Sequence, residues 1–291
     1  MTKNSKLTAM LAATTCMVLW GLSFIASKYA LNAGVPPFTL AFLRYAILTP
    51  VIVLAAAARG SMQISLKNLL RLSPSALFGI TAYYFCEYNG MLHTSASIAA
   101  VILAAIPIIT ALTESVLNQM RIRKAVWAGI TASICGVALV AYAPGGEGSL
   151  FGYIMLLFTC VTWVAYIMSV RGVAADIKPL PLLAWQCVIA LVTLGPLALT
   201  ERASWVPLTP DVLLVAALLG LICSGACYLM YNFALLRLGS IVTSSMLNIM
   251  PIVSVAAGAA LLGERLTALQ FAGGAVIVAA TFLVVKRTSN A

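Results

Sequence analysis

The chain repeats itself at a nearly constant offset. Trp20 returns as Trp163 and Lys28 as Arg171, each 143 residues on, while Tyr84 returns as Tyr228 and Pro107 as Pro251, each 144 on. Each copy holds about five apolar segments. An odd number of crossings per copy forces two like-folded copies to traverse a bilayer in opposite directions. The expected fold is therefore an all-α integral membrane protein of about ten transmembrane helices, built as two inverted five-helix repeats, a plan that in secondary carriers encloses a midplane site. The repeats are placed at 1–143 and 150–291, joined by a linker at 144–149, where proline and glycine interrupt the apolar pattern within Ala143–Ser149.

Composition sets the solvent. With 63% hydrophobic and 8% charged residues, against about 25% charged in a soluble domain, the surface is too apolar to face water all round. The net charge of +10 could suit nucleic acid in a soluble protein, but the cations lie in short loops between apolar runs rather than on one continuous basic face. No nucleic-acid partner is expected. The partners expected are the lipid bilayer and a small-molecule substrate, with protons as a possible coupling ion and the chain acting as a monomer or homodimer.

A helix needs about 20 residues to cross roughly 30 Å of hydrocarbon. The apolar runs place spans near 8–30, 37–58, 73–92, 96–118, 124–143, 150–170, 180–199, 211–235, 240–262 and 267–286. The first follows Lys3 and Lys6 but is too long for a signal-peptide core, so it is read as a retained span. One set of loops and ends collects Lys3, Lys6, Arg59, Lys67, Arg71, Arg121, Arg123, Lys124, Arg171, Lys178, Arg237, Lys286 and Arg287. The other keeps Lys28, Arg202 and Arg265. The positive-inside bias puts both termini in the cytoplasm, with the protein in the cell (inner or plasma) membrane.

Several helices carry aromatic stripes broken by hydrogen-bonding groups, at the i, i+3, i+4 spacing of a shared face. They are Trp20 with Phe24; Tyr84 with Glu87 and Tyr88; Trp163 with Tyr166; and Tyr228 with Tyr231 and Asn232. Trp20 sits near mid-depth, where interface anchoring explains it poorly, so these side chains and Asn248 are read as the lining of a substrate cavity, with helix–helix packing as the alternative. Pro107 and Pro251 fall inside spans, where each removes a ladder hydrogen bond. At matching positions in both copies they suggest kinks that serve gating, freeing the carbonyls of Leu103 and Leu247.

The charges inside spans narrow the chemistry. A carboxylate at mid-bilayer costs about 2.5–3.5 kcal/mol on insertion scales and should face the bundle interior. Glu87 and Glu114 are the candidates for coupling; Glu114 could alternatively meet Arg121 or Lys124, and Glu87 could meet Lys28. Lys28 can snorkel to its end of the membrane, whereas Arg44 has less room and must meet carbonyls, a carboxylate or an anionic solute. Seven cysteines all fall in apolar runs and a single histidine, His93, marks a helix end. No metal cluster, cofactor motif, nucleophile elbow or nucleotide-binding loop is found, so neither an enzyme nor an ATP-driven pump is expected.

The segment Trp20-Gly21-x-Ser23-Phe24 with Lys28 and Arg44, then Tyr228 through Leu236, Pro251 and Gly263-Glu264-Arg265-Leu266, resembles the drug/metabolite transporter superfamily, EamA-type branch, over nearly the whole chain. The resemblance implies a ten-helix carrier that exports amino acids or other small amphipathic metabolites, aromatic amino acids among them, by alternating access. It also implies that helices 1, 3, 4, 6, 8 and 9 surround the cavity. The rival readings are a carrier for phosphorylated metabolites or nucleotide sugars, which would need two converging cations, and, from other classes, a channel or a membrane enzyme.

Overall fold

The computed structural model describes residues 3–119, 124–141, 148–173 and 176–288. Most of the linker, Arg121 and Arg123 lie outside them. The described residues form ten helical rods and no strand. We number them α1 (Lys3–Asn32), α2 (Pro37–Ala58), α3 (66–92), α4 (Ala96–Leu117), α5 (Lys124–Ala141), α6 (Leu150–Val173), α7 (Pro179–Thr200), α8 (Pro210–Leu238), α9 (Ser240–Leu262) and α10 (Ala268–Thr288). Seven are long and apolar enough to cross a membrane outright, and Trp127–Val140 and Ala268–Phe282 supply shorter apolar stretches. α3, which starts at Leu66 with Lys67 and Arg71 in its first turns, completes the ten. Because a helix pairs its ladder groups within one segment, it is the form such apolar runs can take in lipid.

Hydrogen bonds at the rod ends fix the orientation. The Lys28 Nζ at the end of α1 donates to the carbonyls of Met91 (2.5 Å) and Thr94 (2.7 Å) at the end of α3, and the Ser149 amide just before α6 donates to the His93 carbonyl (3.0 Å). So α1 and α3 end on the face where α6 begins. At the other face, the Arg171 guanidinium near the end of α6 meets Glu114 near the end of α4 and Ser240 at the start of α9. The first helix of one copy and the first helix of the other thus enter from opposite faces: the repeat is inverted. We call the face that holds the start of α1 the terminal face, and its counterpart the far face.

Both repeats distort at equivalent places. α3 is π-helical over Leu77–Ala82 and α8 over Leu219–Ala226. α4 breaks into a turn at 104–105 and α9 into a 3-10 turn at Met246–Asn248, each just ahead of its proline, Pro107 or Pro251. Close approach between the halves uses glycine. α5 and α10 touch where a Cβ on Gly136 would lie 2.7 Å from the Gly273 carbonyl, and one on Gly273 2.5 Å from the Gly136 carbonyl, the small-residue packing that membrane helices favour. Gly263 ends α9, at φ +68°.

Two carboxylates from the second repeat cap helices of the first. Glu201 accepts from the amides of Phe38 (3.1 Å) and Thr39 (2.8 Å) and from the Thr39 hydroxyl (2.9 Å). Glu264 accepts from the amides of Ala96 (2.8 Å) and Ser97 (2.9 Å) and from the Ser97 hydroxyl (2.5 Å). Each satisfies amides that a helix start leaves without ladder partners and sits at the positive end of the helix dipole. Replacing Glu264 by alanine strips three charge-assisted bonds at once. We expect a loss on the order of 2 kcal/mol, read as a lower unfolding temperature of the detergent-solubilised protein, with Glu264→Gln intermediate.

Candidate functional site

The π-helical turns build the centre. Shifting the ladder from i+4 to i+5 leaves carbonyls without their usual partner, and such turns are frequent at functional sites. The Cys223 carbonyl in α8 accepts from Trp20 Nε1 (2.9 Å) and the Leu219 carbonyl from Arg44 (3.3 Å). In α3, the Gly79 carbonyl, 144 residues before Cys223, accepts from the Tyr228 hydroxyl (2.7 Å). The sequence repeat thus becomes a pair of matching acceptors, each holding an aromatic side chain from another rod.

Around them the predicted aromatic residues meet. Trp20 and Trp163 stand edge to face with centroids 5.2 Å apart, and Tyr228 lies 5.7 and 5.8 Å from the two indoles. Tyr231 packs on Trp20 and Trp163, and Trp163 Nε1 donates to its hydroxyl (3.3 Å). Tyr166 packs 4.8 Å from Trp163 and donates to Asn232 Oδ1 (2.7 Å). These rings bear on one another, and the cavity they leave is contracted: about 20 Å³ is open to the centre of a water molecule, room for roughly one water. Trp20, Phe24, Tyr84, Glu87, Trp163 and Tyr228 line it; Tyr88, Tyr166, Tyr231 and Asn232 stand behind that lining. Asn248, one residue beyond the lining Leu247, is buried and its Oδ1 has no partner among the described residues.

Arg44 brings a rod that the family resemblance left out. α2 approaches α8 so closely that a Cβ on Gly220 would lie 2.5 Å from the Arg44 carbonyl. The guanidinium, 2% exposed, donates to the Ser224 hydroxyl (3.2 Å), the Tyr88 hydroxyl and the Leu219 carbonyl, and lies 4.5 Å from the Tyr84 ring centroid. Three of its five N–H donors are thereby committed and two remain. Across the same cavity Glu87 accepts from the Tyr83 hydroxyl (2.7 Å). Among the described residues the ion pairs within 4.0 Å are Arg71–Asp176 and Arg171–Glu114. Arg44 and Glu87, both buried and both on the cavity wall, are therefore not paired with each other. Charges held in a membrane interior without an ion-pair partner make this the candidate functional site.

Tyr83 was not singled out from the sequence, although it shares the cavity wall and holds Glu87. Neither Lys28 nor Glu114 is in the lining. Lys28 bonds the Met91 and Thr94 carbonyls at the far mouth rather than Glu87, and Glu114 meets Arg171 and Ser240 rather than Lys124. The Gly79 contact is the tightest in the centre, a Cβ there falling 2.2 Å from the Tyr166 ring. Gly79→Ala should overpack the site by about 1–3 kcal/mol, read as a lower unfolding temperature. Gly172→Ala, whose Cβ would meet nothing within 4 Å, is the neutral control.

Ten apolar rods in inverted repeat, closed around a charged and aromatic midplane pocket, define a multi-pass membrane transporter for a small molecule. Both repeats match the model of the EamA-like transporter family, over residues 7–142 and 150–286. The chain belongs to that family. It is 27% identical over 280 residues to the "Probable amino-acid metabolite efflux pump" of Salmonella typhimurium, covering 92% of this chain and 91% of the relative. It is 26% identical to an "Uncharacterized transporter" of Archaeoglobus fulgidus (96% and 97% covered), and 24% identical to the "Probable terminal-alkyne amino-acid exporter" of Streptantibioticus cattleyicolor (96% and 94%). These relatives are named as transporters, pumps or exporters, not enzymes. A crystal structure covering 95% of this chain and 97% of its own superposes at a TM-score of 0.66 with 21% identity, a likeness of fold alone.

Proposed function

We propose that the chain exports amino acids or close derivatives, bound as zwitterions, by alternating access. The observation that carries this reading is the cavity wall itself: a guanidinium and a carboxylate, buried and not paired with each other, set among aromatic rings. The two free N–H groups of Arg44 suit a carboxylate, for which the guanidinium fork is shaped. Glu87 suits an ammonium. Trp20, Trp163, Tyr84 and Tyr228 supply a face for the side chain, with aromatic substrates the first expectation. A relative named as a probable amino-acid metabolite efflux pump and another named as a probable terminal-alkyne amino-acid exporter support the same class.

A phosphorylated metabolite would ask for a second cation in the cavity, and Lys28 is engaged with carbonyls at the far mouth instead. The breaks ahead of Pro107 and Pro251, equivalent in the two repeats, are the bends on which the halves rock. Cation-rich loops on the terminal face support a cytoplasmic placement of both termini, so export runs from the terminal to the far face.

Indole fluorescence tests the reading, because Trp20 and Trp163 are in the pocket. L-phenylalanine should quench it saturably in the purified protein, while its amide and its N-acetyl derivative should not. Sugar phosphates that quench where the amino acid does not would overturn it. Proton coupling is proposed at Glu87, where ammonium and proton would compete for one carboxylate. Glu87→Gln should then flatten the pH dependence of transport, measured as initial uptake at several external pH values; an unaltered profile would remove Glu87 from coupling.

A further inference from the structure

Below the central pocket, at the terminal face, lies a second cavity of about 270 Å³ lined by Glu114, Arg171 and residues 238–242. Glu114 is 8% exposed and accepts from Arg171, from the Ser240 hydroxyl and from Asn118 Nδ2 (3.0 Å). The Arg171 side chain is 44% exposed and within reach of solutes. The rods that line this vestibule, α4, α6, α8 and α9, also line the central pocket. Helical spacing puts one buried layer between the two. On α9, Thr243 lies between Ser240 and Leu247. On α4, Thr110 lies between Ile106 and Glu114, and on α6, Ile167 lies between Trp163 and Arg171. All three are fully buried, and the Thr243 hydroxyl has no partner among the described residues. A buried hydroxyl gains a partner once the layer parts and water or solute reaches it. Arg171 is also the repeat mate of Lys28, which ties the far mouth.

We infer that this vestibule is a second, transient binding site for the transported zwitterion, and that its occupation opens the terminal gate. The inference rests on the amino-acid reading above. The substrate carboxylate takes Arg171 and its ammonium takes Glu114. The bond from Glu114 to Ser240 is released, α9 separates from α4, and the Thr243 layer opens toward the central pocket. The ion pair is exchanged for two pairs of the same kind, so the switch needs no net loss of charge pairing. A ligand with one charge cannot make that exchange, which gives the gate a selectivity separate from that of Arg44 and Glu87.

Cysteine labelling tests it. Thr243→Cys is introduced with the exposed Cys135 changed to serine, and the rate of reaction with a maleimide is measured on detergent-solubilised protein. L-phenylalanine should accelerate labelling about tenfold, and its amide and N-acetyl derivative should not, a shift of population that differential binding to the open state supplies. The acceleration should persist when Arg44→Lys is added, because it arises at the vestibule. Glu114→Gln should raise the rate without ligand, and Arg171→Lys, which keeps the charge, should raise it less. A rate unmoved by L-phenylalanine, or an acceleration abolished by Arg44→Lys, overturns the inference. If the indole quenching survives in that case, the amino-acid reading stands without it; if the quenching is also absent, both fall.

Discussion

Arg44→Lys is expected to lower amino-acid transport at least about a hundredfold while the ten-helix bundle stays folded. Lysine keeps the charge, so no buried carboxylate or hydroxyl loses a cation outright, but a point charge cannot reproduce a planar fork. Arg44 spans three rods at once: it meets Tyr88 on α3 and both Ser224 and the Leu219 carbonyl on α8 from its own place on α2. An ammonium on a shorter reach cannot serve those partners and still offer two parallel N–H groups to a carboxylate. Losing a bidentate, desolvated contact of about 3 kcal/mol gives roughly a hundredfold. Initial rates in proteoliposomes, with size-exclusion behaviour as the folding control, read the effect. Transport within about threefold of the parent would show that Arg44 holds helices together and does not touch substrate.

The second large effect is expected at Trp163. Its indole touches Trp20, Tyr83, Tyr166, Tyr228 and Tyr231, so it is the hub of the aromatic cluster. Trp163→Ala removes a stacking face from the pocket and leaves space behind it. For an aromatic amino acid the weaker stacking should raise the apparent KM about tenfold, one to two ring contacts at about 0.5–1.5 kcal/mol each. A small aliphatic amino acid should be less affected, because it makes less of that contact. The stability cost, about 3–5 kcal/mol for a buried Trp→Ala in the general case, predicts a lower unfolding temperature as well. Trp163→Phe separates the two, since it fills most of the space and keeps a ring. Unchanged KM for aromatic and aliphatic substrates alike in Trp163→Ala would remove the aromatic wall from the account.

The helical rods were legible in the sequence because their cause is local. An apolar run must close its hydrogen bonds within itself in lipid, and its length is set by the bilayer, so the expected spans fall on the observed rods with ends differing by a few residues. The exception is α3, which begins at Leu66 rather than near residue 73. Its first turns reach the terminal face, where Arg71 pairs with Asp176 (2.5 Å) and donates to the Gly172 carbonyl at the end of α6 (2.8 Å).

The meeting of the aromatic side chains was legible where the repeat pointed to it. Trp20, Trp163, Tyr84 and Tyr228 come together, and the breaks ahead of Pro107 and Pro251 are equivalent. What escaped was phase and pairing. Tyr83, four residues before Glu87 and so on its face, was passed over for its neighbour Tyr84, while the Gly79 and Cys223 carbonyls lie in the π-helical turns at Leu77–Ala82 and Leu219–Ala226, which an α-helical count does not anticipate. Arg171 is 57 residues from Glu114, and sequence neighbours such as Lys124 offered a nearer but unrealised partner. The capping roles of Glu201 and Glu264 are equally remote in sequence, each joining a loop of the second repeat to a helix start of the first.

Counterflow in proteoliposomes tests the central claim, a midplane pocket between inverted repeats that accepts a zwitterion. Vesicles loaded with unlabelled L-phenylalanine should transiently accumulate the labelled compound against its gradient. Vesicles loaded with its amide, with N-acetylphenylalanine or with a sugar phosphate should not. Accumulation driven by the sugar phosphate but not by any free amino acid would contradict the account.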